Sequence, residues 1–136
     1  MDQNDRVDES ADIAPAIAKY TETLTTMADM PSQAGVAQSP RRWNRLANEL
    51  QRQQLILRES PSGQQAISTL MDDPRPMVRA WASSHALFWD ESKARSVLEA
   101  LRDDPGVGVV SVDAKYTLSE FDKGRLNQSW QPPARG

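Results

Sequence analysis

The chain has 136 residues, enough for one modest hydrophobic core, and 38% of them are hydrophobic and 26% charged. It holds no cysteine and a single histidine, His85, which excludes a disulfide framework, a thiolate metal site and an imidazole cluster, and nothing in the composition calls for a cofactor. Nineteen acids against sixteen bases give a net charge of −3, which disfavours a dedicated nucleic-acid binder and makes a basic partner the easier one to attract.

The opening residues, MDQNDRVDESAD, are acidic and polar, so residues 1–12 are expected to be solvated and flexible. They lack the basic flank and apolar run of a secretory signal, and no later segment reaches the length of a membrane span. The expectation is a cytoplasmic protein with no membrane contact. From residue 13 the pattern changes: Ile13, Ile17, Tyr20, Leu24 and Met27 recur at steps of three and four, which predicts a helix with one buried stripe and Pro15 in its first turn.

DMPSQAGVAQSP, residues 29–40, has no period and reads as a loop, closing on Ser39 as N-cap and Pro40 as first helical residue. In the helix that follows, Trp43, Leu46, Ala47, Leu50 and Leu57 share one side. Arg41, Arg45 and Arg52 fall on another, as a solvated face or as an acid-binding strip. ESPSG, residues 59–63, stops this helix and a short third one is expected over 64–70. Asp72, Asp73 and Pro74 then supply a turn and the start of a fourth helix reaching about Trp89. Asp90 is placed to cap a fifth, with Ala94, Val97, Leu98 and Leu101 inside.

In the last periodic segment Val109, Val112, Tyr116 and Phe121 have partly helical spacing. VGVVSV, residues 107–112, is β-branched and contains glycine, so both helical and extended conformations stay open there. Lys123-Gly124 marks a helix end, and residues 125–136 read as a flexible tail beyond a single domain over 13–124.

The fourth helix and its turn, LMDDPRPMVRAWASSHAL at 70–87, are matched by LRDDPGVGVVSVDAKYTL at 101–118. Aligned without gaps, Leu70 falls on Leu101, Asp72-Asp73-Pro74 on Asp103-Asp104-Pro105, Val78 on Val109 and Leu87 on Leu118, thirty-one positions apart. A fixed period of this size signals stacked helical units that bury their faces on one another. In this register Val110 replaces Arg79 and Asp113 takes the place of the small Ala82. Arg79 is placed to reach back to an acid of its own or a neighbouring turn.

DDPRPMVRAWASSHAL resembles a HEAT repeat in Asp73, Pro74, Val78, Arg79, Ala82 and Leu87. With WNRLANEL, KARSVLEAL and the closing Lys-Gly, residues 42–124 also resemble an uncharacterised bacterial family of short HEAT-like proteins, domain of unknown function number two thousand and nineteen. The resemblance covers roughly two-thirds of the chain. It implies an all-α fold of about six helices, paired as three antiparallel hairpins in a short right-handed HEAT/ARM-like superhelix.

No nucleophile with its base, metal cluster or phosphate-cradling glycine loop is legible, so a non-enzymatic role is expected. His85 near Ser83, Ser84 and Asp90 reads as a packed or surface histidine, and Asp103-Asp104 as turn acids rather than magnesium ligands. Trp43 and Trp89 read as core residues. The candidate partner-binding residues are Trp81 with Arg79, as an anchor, and the turn acids Asp72, Asp73, Asp103 and Asp104, which would steer a basic protein. By fold analogy the expected role is a bacterial immunity protein that neutralises a basic toxin domain. The alternatives are a HEAT-like nucleic-acid binder using Arg41, Arg42, Arg45, Arg52 and Arg58, or a self-associating structural subunit.

Overall fold

A computed structural model describes residues 2–30 and 40–135, with side chains from Asp12 onward. Among the described residues the chain is all-helical and has no strand. The helices are α1 (Asp2–Asp29), α2 (Pro40–Leu57), α3 (Pro61–Thr69), α4 (Pro76–Ala86), α5 (Glu91–Arg102) and α6 (Val109–Asp122). Short 3-10 turns occupy Leu70–Asp72 and Pro105–Val107. The loop expected over 29–40 lies largely outside the described residues, as does Ser39, its proposed cap.

The described chain divides into two compact units, Met1–Gly63 with Gln131–Gly136 and Gln64–Trp130, where one domain over 13–124 between loose ends was expected. In the first unit α1 begins at Asp2, so the helix takes in the acidic stretch; carboxylates near a helix N-terminus are favoured by its dipole. Pro15 consequently lies inside α1 rather than in its first turn, where its missing N–H removes a backbone bond. Ile13, Ala16, Tyr20, Leu24 and Met27 are buried while Ile17 is half-buried, and α1 packs against α2, whose Leu50 and Leu57 are buried with Gln51 and Gln54. Gln54 donates to Gln51 at 3.0 Å, which offsets the cost of burying both amides.

The C-terminal segment is not loose where it meets α2. Glu49 accepts from Arg135 at 2.9 and 2.7 Å, from Arg52 at 3.0 Å and from Gln53 at 2.7 Å, while Arg52 also donates to the carbonyl of Pro133. ESPSG both ends α2 and opens α3: the Ser60 hydroxyl accepts from the Gly63 amide at 3.1 Å, an N-cap bond, with Pro61 as the first helical residue. The third helix therefore starts three residues before the expected position.

The second unit holds the repeated turn, and two of its hydrogen bonds recur in both copies. The Asp73 amide donates to the Leu70 carbonyl at 3.2 Å, and the Asp104 amide to that of Leu101 at 3.2 Å. The Asp73 carboxylate accepts from the Arg75 amide at 2.9 Å, and that of Asp104 from the Gly106 amide at 2.8 Å. The register of thirty-one thus holds through both turns. It fails in the helices that follow. Val78 is fully buried and Val109 is not; the buried trio Val78, Ala82 and Ala86 corresponds instead to Val110, Ala114 and Leu118, thirty-two positions on.

The extra residue enters between Asp104 and Val110, where the chain makes a 3-10 turn and crosses Gly108 at φ +62° before α6 begins. One residue rotates a helix face by about 100°, so the insertion carries the face containing Val109 out of the core. Val109, which the ungapped register pairs with the buried Val78, is therefore exposed together with Val112 and Tyr116, and residues 109–112 are helical, the first of the two conformations left open for them. The shifted register also aligns the small residue, since Ala114, not Asp113, is the buried residue aligned with Ala82, and Val110 matches Val78, while Arg79 falls on Ser111.

Other expectations for this unit change in detail. The fourth helix starts at Pro76, not at Asp73-Pro74, because Arg75 is extended at the N-cap and Pro76 supplies the first helical turn. It ends at Ala86, short of Trp89. Asp90 occupies the N-cap of α5 but makes no side-chain cap bond, and Ala94, Leu98 and Leu101 are buried with Val97 half-buried. Lys123 is the C-cap of α6 and Gly124 follows it at φ +71°, the left-handed residue expected there.

Candidate functional site

The outward side of α6 is the site that the residues build. Val109, Val112 and Tyr116 are 67%, 63% and 64% exposed, at the i, i+3, i+7 spacing that aligns side chains along one helix face. Val110, Ala114 and Leu118 occupy the opposite side and are buried. A helix that is apolar on two sides is ordinarily covered on both, and the second unit covers only one. Asp113 and Lys115 are exposed on the two flanks of the stripe, and among the described residues neither makes a hydrogen bond or ion pair. Partial desolvation by the surrounding protein pushes the Asp113 carboxyl up from its ordinary value although the residue is exposed.

The expected anchor and steering acids are largely occupied by the fold itself. Arg79 reaches back to its own turn, but to carbonyls rather than a carboxylate: it donates to Asp73 O at 3.1 Å and Pro74 O at 2.9 Å. In the second copy Ser111, the residue equivalent to Arg79 in the register of thirty-two, donates to the Arg102 carbonyl at 2.9 Å. Two different side chains thus tie the start of the second helix to the preceding turn. Asp73 is held by both the backbone and the guanidinium of Arg75, which keeps its carboxyl below the ordinary value. Asp72 pairs with Lys93 at 2.9 Å, Asp103 with Arg102 at 2.8 Å, and Asp104 caps its own turn. Trp81 is half-buried, edge-on to the buried His85 ring at 6.3 Å.

The six expected residues do not form one patch of unpaired charge around an aromatic. The stripe on α6 was hidden from sequence reasoning because the ungapped register pairs Val109 with Val78; the clue was the surplus residue of DDPGVGVV against DDPRPMV. Phe88, 51% exposed, packs edge-on to Phe121 at 5.4 Å. Arg95 lies 5.7 Å from the Phe121 ring and donates to Asp122 and Glu91, so this cluster ties α5 to the end of α6.

His85 is buried, Ser83 Oγ is buried with no partner among the described residues, and Ser84 accepts from Gln128; the three form no nucleophile–base pair. Trp89, half-buried, donates to Ser68 at 3.0 Å. Of the arginines proposed as an anion strip, Arg52 is taken by Glu49 and the Pro133 carbonyl, and Arg58 lies 3.6 Å from Glu59. Arg41, Arg42 and Arg45 are exposed. Among the described residues no group of three or more potential ligands is placed to hold a metal ion, and no helix is long and apolar enough to cross a membrane. Comparison of the chain with protein-family models, with curated proteins and with solved structures gave no match in any of the three.

Proposed function

We propose that this chain is a non-enzymatic protein-binding module built from HEAT-like helical hairpins, and that its finer role is that of an immunity protein occluding a basic toxin domain. The observation that carries the binding reading is the uncovered apolar stripe of Val109, Val112 and Tyr116 on α6. The net charge of −3 supports a basic partner through faster encounter. Trp81 remains a second candidate contact, since it is half-exposed and offers a large apolar surface. The repeated Asp-capped turn supports the helical-repeat reading, because the same carboxylate-to-amide bond precedes α4 and α6.

The test is affinity capture from native cells with the wild-type chain, Val112→Asp and Tyr116→Ala in parallel. A protein retained by the wild type and released by both variants is the expected result. Its gene expressed alone should arrest growth, and co-expression of the wild-type chain should relieve the arrest. Equal retention by all three proteins would remove α6 from the interface, and a partner without toxicity would end the immunity role while leaving the binding role standing.

A further inference from the structure

The segment beyond α6 meets α2 at a site whose receiving side belongs to α2 alone. On that helix Arg52 donates to Glu49 Oε1 at 3.0 Å and the buried Gln53 donates to Oε2 at 2.7 Å, so neighbours one turn away fix both carboxylate oxygens. Onto this carboxylate Arg135 lays a fork, Nε to Oε1 at 2.9 Å and Nη2 to Oε2 at 2.7 Å. Arg52 uses its second terminal nitrogen to donate to the Pro133 carbonyl, two residues before the arginine. The site therefore takes one guanidinium and one backbone carbonyl. The two sides of the contact are built differently. The Glu49 side chain is 13% exposed and that of Arg135 66%, and no residue from 125 to 135 is buried. The segment brings hydrogen bonds and charge to α2 but no core side chain, so lifting it away leaves no cavity. Pro132 and Pro133 restrict two successive φ angles, which lowers the entropy lost when it docks.

We propose that Glu49, Arg52 and Gln53 form an arginine-reading docking site for a segment of a basic partner protein, and that residues 133–135 occupy this site in cis as a displaceable stand-in for it. The assignment rests on the protein-binding reading and names the partner's contact, an exposed arginine whose chain offers a free carbonyl two residues earlier. The occupant seen on α2 supplies the chemistry of the one that replaces it. Charge favours the exchange, since a net charge of −3 draws a basic segment toward the chain. Arginine is required rather than lysine, because the two donors of the fork match the two carboxylate oxygens and an ammonium group is a single point charge. The tethered segment acts at an effective concentration on the order of millimolar. A lone arginine peptide at micromolar concentration is therefore kept out, whereas a partner that adds contacts elsewhere on the chain displaces the segment.

The experiment titrates a synthetic peptide of residues 130–135, WQPPAR, into the isotope-labelled full chain and follows the Gln53 side-chain amide and the α2 backbone amides by NMR. The proteins are wild type, Arg135→Ala and the double variant Arg135→Ala/Glu49→Gln. Arg135→Ala should bind the peptide about tenfold or more tightly than wild type does, and the double variant should lose that gain. The peptide with lysine in place of arginine should bind Arg135→Ala about tenfold or more weakly than its parent. Equal binding to wild type and Arg135→Ala would overturn the cis occupancy, and no binding to Arg135→Ala at millimolar peptide would overturn the docking site. Loss of helicity in Arg135→Ala by circular dichroism would also overturn it, because the contact would then be part of the fold. A native partner captured equally by wild type and Glu49→Gln would overturn this site and leave the general binding role standing. Peptide binding as expected with no partner captured would support the site and overturn its assignment to a partner protein.

Discussion

Two arginines and a glutamine converge on the Glu49 carboxylate. Hydrogen bonding from Arg135, aided by Gln53 and the positive charges of Arg135 and Arg52, lowers its pKa from 4.5 to about 2 against the opposing effect of burial. A carboxyl depressed by folding stabilises fully above its ordinary value and loses that contribution as pH falls through the folded one. Thermal unfolding followed from pH about 5 down to about 2 should therefore show stability draining away, and Glu49→Gln should flatten that acid limb while lowering stability at neutral pH. An acid limb unchanged in the variant would place the titrating group elsewhere. Leu70 and Leu101 give a second residue-level expectation. Leu101 is buried, whereas Leu70 is half-buried because the chain tightens there to a 3-10 turn that turns Met71 inward. Chemical denaturation should show Leu101→Ala costing about 2–5 kcal/mol and Leu70→Ala clearly less, with Met71→Ala taking the larger loss on that side.

Two glycines matter for how elements begin and join. A Cβ at Gly63 would stand 2.1 Å from the Leu57 carbonyl oxygen, so α3 starts against the end of α2 only because that side chain is absent. Gly63→Ala should destabilise by about 1–3 kcal/mol as the junction shifts, measured by urea unfolding; a neutral effect would show that the two helix ends are not held in this contact. Gly108 adopts φ +62° and ψ −133°, a conformation open to glycine, with space around the missing side chain. Gly108→Ala should therefore cost about 1–3 kcal/mol through backbone strain alone, with no steric contribution. Helix existence was legible in the periodicity of α1, α2 and α5. Starts were harder: Ser60-Pro61 carries the same signal as Ser39-Pro40, yet the glycine two residues later reads as a terminator when the turn is judged by composition. The glycine stands inside the helix because close packing requires it there.

For the molecule as a whole, charge and surface decide what it meets. Arg52 is committed to a structural pair and Arg58 lies beside Glu59, so Arg41, Arg42 and Arg45 remain as the exposed basic residues of the proposed strip. With the net charge at −3, fluorescence anisotropy at physiological salt should show no sub-micromolar binding of DNA or RNA; tight, steeply salt-dependent binding would restore the nucleic-acid reading. Composition and periodicity by themselves determined most of the helices, the absence of any cysteine chemistry, and the repeated Asp-Asp-Pro turn, because these depend on local spacing and on which residues exist. Which side of α6 faces the core was decided only in three dimensions. Val109 and Val110 are neighbours of equal hydrophobicity, and the periodicity of α6 alone offers no reason to bury one over the other. The choice follows from one added residue in the preceding turn, which rotates the whole helix and leaves its other apolar side uncovered.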